Sequence, residues 1–120
     1  MRGLILTGLV AAVATVGAAD AQQIRIMTGP QGGAWYPLGG AMQAMLGDEG
    51  IRAQVLPGGG VANAQGVQGG QADLAFGNSI SVVDALEGRE PFEGRADNIC
   101  LIGTLYPQYF QMVATAASGV

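Results

Sequence analysis

Two glycine-rich loops hold most of the residues in this chain that are able to do chemistry: Thr28-Gly29-Pro30-Gln31-Gly32-Gly33 and Pro57-Gly58-Gly59-Gly60. Each lies between a short apolar run and the start of a helix-forming one, and a third apolar run closes at Phe76-Gly77-Asn78-Ser79. Such a loop leaves backbone N–H groups unpaired at the following helix N-terminus, where the aligned peptide dipoles favour an anion. The chemistry implied is capture of a small anionic or zwitterionic molecule. Tight turns alone also account for Gly32 and Gly33, since only glycine enters positive φ cheaply, so both readings stand there.

Missing residue types narrow the field. Among 120 residues there is no histidine, and all five basic residues are arginines. A Ser-His-Asp or Cys-His site, a histidine zinc site, a Schiff-base lysine and a Walker A lysine are therefore excluded within the chain. No cofactor and no metal are expected. Cys100, alone between Ile99 and Leu101, reads as a small buried hydrophobe.

The N-terminal segment reads as a secretory signal over residues 1–21. Arg2 precedes an apolar run over residues 4–19, and Ala19-Asp20-Ala21 forms an A-x-A cleavage pattern. The run is shorter than the roughly 20 residues a spanning helix needs, which disfavours an uncleaved anchor. The mature chain, residues 22–120, is then expected in the periplasm. Removing Arg2 and Asp20 leaves four arginines against eight acids. That balance, with no basic cluster, argues against nucleic acid and anionic membrane surfaces as partners.

The elements that position the loops follow from periodicity. Residues 24–27 form a strand, and Leu38, Ala41, Met42, Met45 and Leu46 recur at i, i+3, i+4, i+7 and i+8, one face of a helix with Pro37 in its first turn. Residues 52–56 form a second strand, 61–68 a short helix, 73–77 a third strand, and 79–86 a third helix with Ser79 as its N-cap. Residues 87–97 read as a polar surface loop, and 99–105 and 110–115 as two further strands. Alternating strands and helices imply a parallel α/β sheet, whose ligands bind outside the carboxyl ends of the strands.

The runs IRIMTGPQGGAWYPLGGAMQAML, VLPGGGVANAQGVQGGQADLAFGNSISVVDAL and LIGTLYPQYFQMV, in this order, resemble the substrate-binding receptors of TRAP transporters, specifically the TAXI family. The resemblance implies a type II periplasmic-binding-protein-like α/β lobe and a receptor that is not an enzyme. It also implies a small carboxylate or amino acid ligand, glutamate-, glutamine- or 2-oxoacid-like, delivered to a TRAP membrane permease. The combination T-G-x-x-G-G-x-W/Y-Y-P, P-G-G-G-V-x-N and L-Y-P is narrow, whereas G-x-A-D-L-A-F is common to many such lobes.

Carried onto this sequence, the resemblance implies ligand contacts from Gly32, Gly33 and Tyr36 of the first loop and from Gly59, Gly60, Val61 and Asn63 of the second. Asn63 equally suits a helix surface. Asn78 and Ser79 stand where relatives often carry a polar residue and Ser-Asp, and Ile80 replaces that acid here. Tyr106 either reaches the cleft or serves only as a packing aromatic, Gln108 replaces a frequent acid, and Trp35, whose indole is able to line a ligand, is favoured for packing. The four mature arginines are poor candidates for a carboxylate clamp.

Relatives continue beyond Ala117-Ser118-Gly119-Val120, so the resemblance implies an incomplete first lobe with the second absent. Oligomeric state is left open. An ABC-type or sensor lobe is the alternative function. A nucleotide enzyme is less favoured, because the first loop is not G-x-G-x-x-G and no acid closes the second strand.

Overall fold

A computed structural model describes residues 23–119, and the expected signal segment lies outside the described residues. Three strands, β1 (Ile24–Met27), β2 (Ala53–Leu56) and β3 (Leu74–Ala75), form a parallel sheet in the order β2-β1-β3. Ile24 pairs with Ala53 and Met27 with Leu56 on one side of β1, and Ile26 pairs with Leu74 on the other. Helices α1 (Trp35–Asp48), α2 (Gly60–Gln68) and α3 (Ser79–Glu87) follow the strands in turn. This is the parallel α/β lobe anticipated from the alternation of elements. Among the described residues, no helix is long and apolar enough to cross a membrane.

Glycines set how closely the helices approach the sheet. A Cβ on Gly39 of α1 would lie 2.3 Å from Thr28 Cγ2, and one on Gly66 of α2 would lie 2.3 Å from Met27 Sδ. Met27 and Thr28 are consecutive and project to opposite faces, so α1 and α2 cover opposite faces of the sheet. The buried line of α1 differs from the expected one. Gly39 is buried and Trp35, Met42 and Leu46 are half-buried, whereas Leu38, Ala41 and Met45 are exposed. Steric access is the reason: the glycine admits the Thr28 and Val55 side chains of the sheet, and the helix is turned to place it there.

The third helix begins one residue earlier in its capping than the sequence implied. Asn78, not Ser79, is the N-cap, and its Oδ1 accepts a 2.9 Å bond from the Ser81 N–H. Gly88 ends the helix at φ 70°, where an added Cβ would meet the Gly94–Arg95 backbone at 2.9 Å. The polar loop that follows is tied in by Ala96, whose N–H donates to the Ala85 carbonyl at 2.7 Å. Ala64, Ala85 and Ala96 then form a small buried cluster with Phe92 and Ile99 against it.

Residues 99–115 do not form the two expected strands. They run extended, Ile99 half-buried and all the others, Cys100 included, exposed; Ala116–Ser118 then make one 3-10 turn. No backbone hydrogen bond joins residues 99–114 to any other described residue. Strand propensity there is real, but a strand exists only against an edge that pairs with it.

Candidate functional site

The glycine loops meet at the carboxyl edge of the sheet, where β1 and β3 diverge. Asn63, in the first turns of α2, is the hub. It is 1% exposed, its Nδ2 donates to the carbonyls of Thr28 and Phe76 at 2.7 Å each, and its Oδ1 accepts from the Gly59 N–H at 3.0 Å. One amide thus satisfies the polar groups of the two diverging strand ends and fixes the second glycine loop above them. The approach is close enough that a Cβ on Gly58 would fall 1.9 Å from Asn63 Oδ1. Asn63 therefore works from beneath the site as the support of the loop, neither on the helix surface nor aimed outward.

Thr28 completes the join. Its N–H and its Oγ1 both donate to the Leu56 carbonyl at 2.9 Å, so β1 and β2 end in register with their loops side by side. Gly58 N–H donates to the Gly29 carbonyl at 3.4 Å, linking the two loops directly.

Above this frame lies an open cleft of about 250 Å³, lined by Gly29, Pro30, Gly33, Ala34, Trp35, Gly59, Tyr106 and Gln108. None of these side chains is charged. Trp35 forms one wall: its ring packs against Phe76 at a 6.1 Å centroid separation, and its Nε1 donates to the Tyr106 hydroxyl at 2.8 Å. Gly29 leaves room for it, since an added Cβ would stand 3.3 Å from Trp35 Cβ. The indole thus has both a packing role and a surface on the cleft.

Of the residues expected at the ligand, Gly33, Gly59 and Tyr106 line this cleft, together with Trp35 and Gln108. Gly32, Tyr36, Gly60, Val61, Asn63, Asn78 and Ser79 lie outside the lining. Gly60 is pressed against the α3 cap, where a Cβ would meet Asn78 Nδ2 at 2.7 Å and Ser81 Oγ at 2.9 Å. Asn78 is engaged as a cap, and Ser79 is exposed beside it in the first turn of α3. The supporting role of Asn63 was legible only as a polar residue on a helix three positions after Gly60. Its burial depends on strands that converge from far along the chain.

The three helix N-termini differ. The α3 end carries its Asn78 cap, whereas α1 and α2, entered through Ala34 and Gly59, have no side-chain cap, and no acid occupies the first turn of any of the three. The N–H groups of the lining glycines are engaged, Gly33 with the Pro30 carbonyl at 2.8 Å and Gly59 with Asn63 Oδ1 at 3.0 Å, so the donor character of the cleft comes from the uncapped start of α1, where Ala34 and Trp35 line it. The bidentate ion pair lies at the opposite edge of the sheet: Arg25 Nε and Nη2 donate to the Asp73 carboxylate at 3.0 Å each, and the Arg25 N–H donates at 2.8 Å. These hydrogen bonds from Arg25 hold the Asp73 carboxyl below its ordinary value, and the Asp73 carboxylate raises Arg25.

The parallel sheet, the helices on its two faces and the ligand-sized cleft at its carboxyl edge are those of a periplasmic-binding-protein-like lobe. The chain belongs to the NMT1-like family, whose model matches residues 26–120. That family falls in the periplasmic binding protein-like solute receptor group and is a family of binding proteins rather than enzymes. Membership brings with it, in general terms, a small-molecule ligand and a transporter partner. No curated protein and no solved structure matches the chain.

Proposed function

We propose that this protein is an extracytoplasmic solute receptor of a TRAP-type transporter of the TAXI kind. It binds a small organic anion or amino acid, of the glutamate, glutamine or 2-oxoacid class, and delivers it to a TRAP permease in the membrane. The observation that carries the reading is the meeting of two glycine loops and the uncapped N-terminus of α1 at one uncharged cleft. Backbone N–H groups donate to a carboxylate without a counter-charged side chain, and Trp35, Tyr106 and Gln108 offer the rest of the ligand an aromatic wall and polar ends. The proposal includes a periplasmic location, with residues 1–21 as the cleaved signal and residues 22–120 as the first part of the binding lobe.

The test is a titration of the purified chain with glutamate, glutamine and 2-oxoglutarate, followed by thermal shift and by the fluorescence of Trp35, the one tryptophan in the sequence. A saturable rise in Tm together with a saturable change in emission supports the reading. Absence of both for all three acids overturns this ligand class. The neighbouring genes separate TRAP from ABC: a large fused permease gene supports the first, an ATPase gene the second.

A further inference from the structure

Within the solute-receptor reading above, on which this rests, we infer that Gly59 is the position that decides which ligands fit the cleft. The carbon stem of the bound molecule lies directly on its Cα, and glycine is required there by the ligand and not by the fold. Three glycines line the cleft: Gly29, Gly33 and Gly59. An added Cβ would stand 3.3 Å from Trp35 Cβ at Gly29 and 3.2 Å from the Pro30 carbonyl at Gly33, so packing within the chain accounts for both. The glycines on either side of Gly59 are accounted for in the same way, Gly58 by the Asn63 side chain and Gly60 by those of Asn78 and Ser81. A Cβ on Gly59 would meet nothing within 4 Å.

Backbone conformation does not demand glycine at this position either. Gly59 has φ 179° and ψ 165°, an extended conformation that any residue adopts. It is the N-cap of α2, where serine and asparagine serve at least as well as glycine. Its N–H donates to Asn63 Oδ1 at 3.0 Å and its carbonyl accepts from the Asn63 N–H at 2.8 Å, bonds that any residue with a backbone N–H keeps. What is left to explain the glycine is the open space beside it, and that space is the cleft it lines. Glycine is the residue that lets a ligand approach the backbone closely.

The same hydrogen bonds fix the kind of contact. With its N–H engaged, Gly59 has no donor for a carboxylate and presents a small apolar floor. A side chain there would take up part of a cleft of only about 250 Å³. The acid group of the ligand then lies toward the uncapped start of α1, and its carbon stem lies over Gly59.

The test compares Gly59→Ser and Gly59→Asn with the wild-type full chain, in titrations with glutamate, glutamine and 2-oxoglutarate followed by Trp35 emission and by Tm. Both substitutions keep a favourable N-cap, so the ligand-free variants are expected to melt at or above the wild-type Tm. Affinity for whichever acid the wild-type chain binds is expected to fall at least about tenfold in Gly59→Ser and further in Gly59→Asn. Gly40→Ala, which also fills open space but lies outside the cleft, is expected to keep the wild-type affinity. A lower ligand-free Tm in both Gly59 variants overturns the inference, because the fold then requires the glycine. Unchanged affinity in both overturns it as well, since the space beside Gly59 then takes something other than the ligand. A wild-type chain that binds none of the three acids overturns the ligand class proposed above and this inference with it, a result read on the wild-type chain alone.

Discussion

Strands β1, β2 and β3 are four, four and two residues long and include Arg25, Gln54 and two alanines, yet each is paired in a defined register. Residues 99–115 hold similar shares of large apolar and β-branched side chains, yet pair with no strand among the described residues. The difference lies in what each segment meets. In the first region the strand ends are locked by Asn63 and Thr28, and the helices are seated on glycines. In the second, Ile99 packs on the small alanine cluster and hydrogen bonds at Asn98 and Tyr106 attach the chain to the body. Local propensity makes a strand possible, and a polar scaffold that satisfies its ends makes it real.

The harshest way to break the contrast is at Asn63. Asn63→Asp turns the amide that donates to two buried carbonyls into an acceptor, repelling both and burying a charge. A loss of about 3 kcal/mol or more is expected, enough to unfold a domain whose core is mostly alanine. Urea denaturation followed by circular dichroism measures it. Near-wild-type stability would show that the strand ends are held by something other than this side chain.

Adjacent glycines of α1 sharpen the comparison next. Gly39→Ala drives a methyl into Thr28 and Val55 and should cost about 1–3 kcal/mol. Gly40→Ala meets nothing within 4 Å, removes unfolded-state freedom and improves helix propensity, so it should stabilise by about 0.5–1 kcal/mol. Opposite signs at neighbouring positions are the expected result in thermal melts. The same sign would place the seam between α1 and the sheet elsewhere. Loss of the α3 cap in Asn78→Ala is expected to cost about 1 kcal/mol, while Ser79→Ala, at the position the sequence pattern favoured, should cost less.

These positions also mark what was readable beforehand. The three strand-loop-helix units, their parallel order and the edge where the loops gather followed from glycine placement and apolar periodicity, because these are local signals. The face that α1 buries did not follow, since Gly39 carries no apolar signal and acts by being small against Thr28, a residue 11 positions away. The role of Asn63 was hidden for a related reason: its three partners sit at Thr28, Gly59 and Phe76 and come together only in the folded chain. Residues 99–115 show the converse error, in which a strong local pattern was read as strand where no edge receives it. At the cleft, Gly33, Gly59 and Tyr106 were expected from the family resemblance alone, whereas for Trp35 the choice between packing and lining the cleft needed the folded chain, in which it does both.

The smallest expected effect concerns the amino edge of the sheet, where Arg25 and Asp73 join β1 to the start of β3. Both side chains are about a third exposed, so water screens the pair and its contribution is modest. The direction is still fixed by linkage. Hydrogen bonds from the Arg25 side chain and backbone hold the Asp73 carboxyl below its ordinary 3.8. The folded state therefore binds that proton more weakly than the unfolded state does. The stabilisation is fully present above pH 3.8 and is lost as pH falls through the lower folded-state value. Asp73→Asn should accordingly lower Tm slightly at neutral pH, and the gap to the wild-type chain should close as the solution is acidified below that range. Paired melts across the acid range measure it. A gap that persists unchanged at low pH would mean that Asp73 acts through its neutral hydrogen bonds to β1 and not through its charge, which would make this edge of the sheet, like the carboxyl edge, a join held by hydrogen bonds alone.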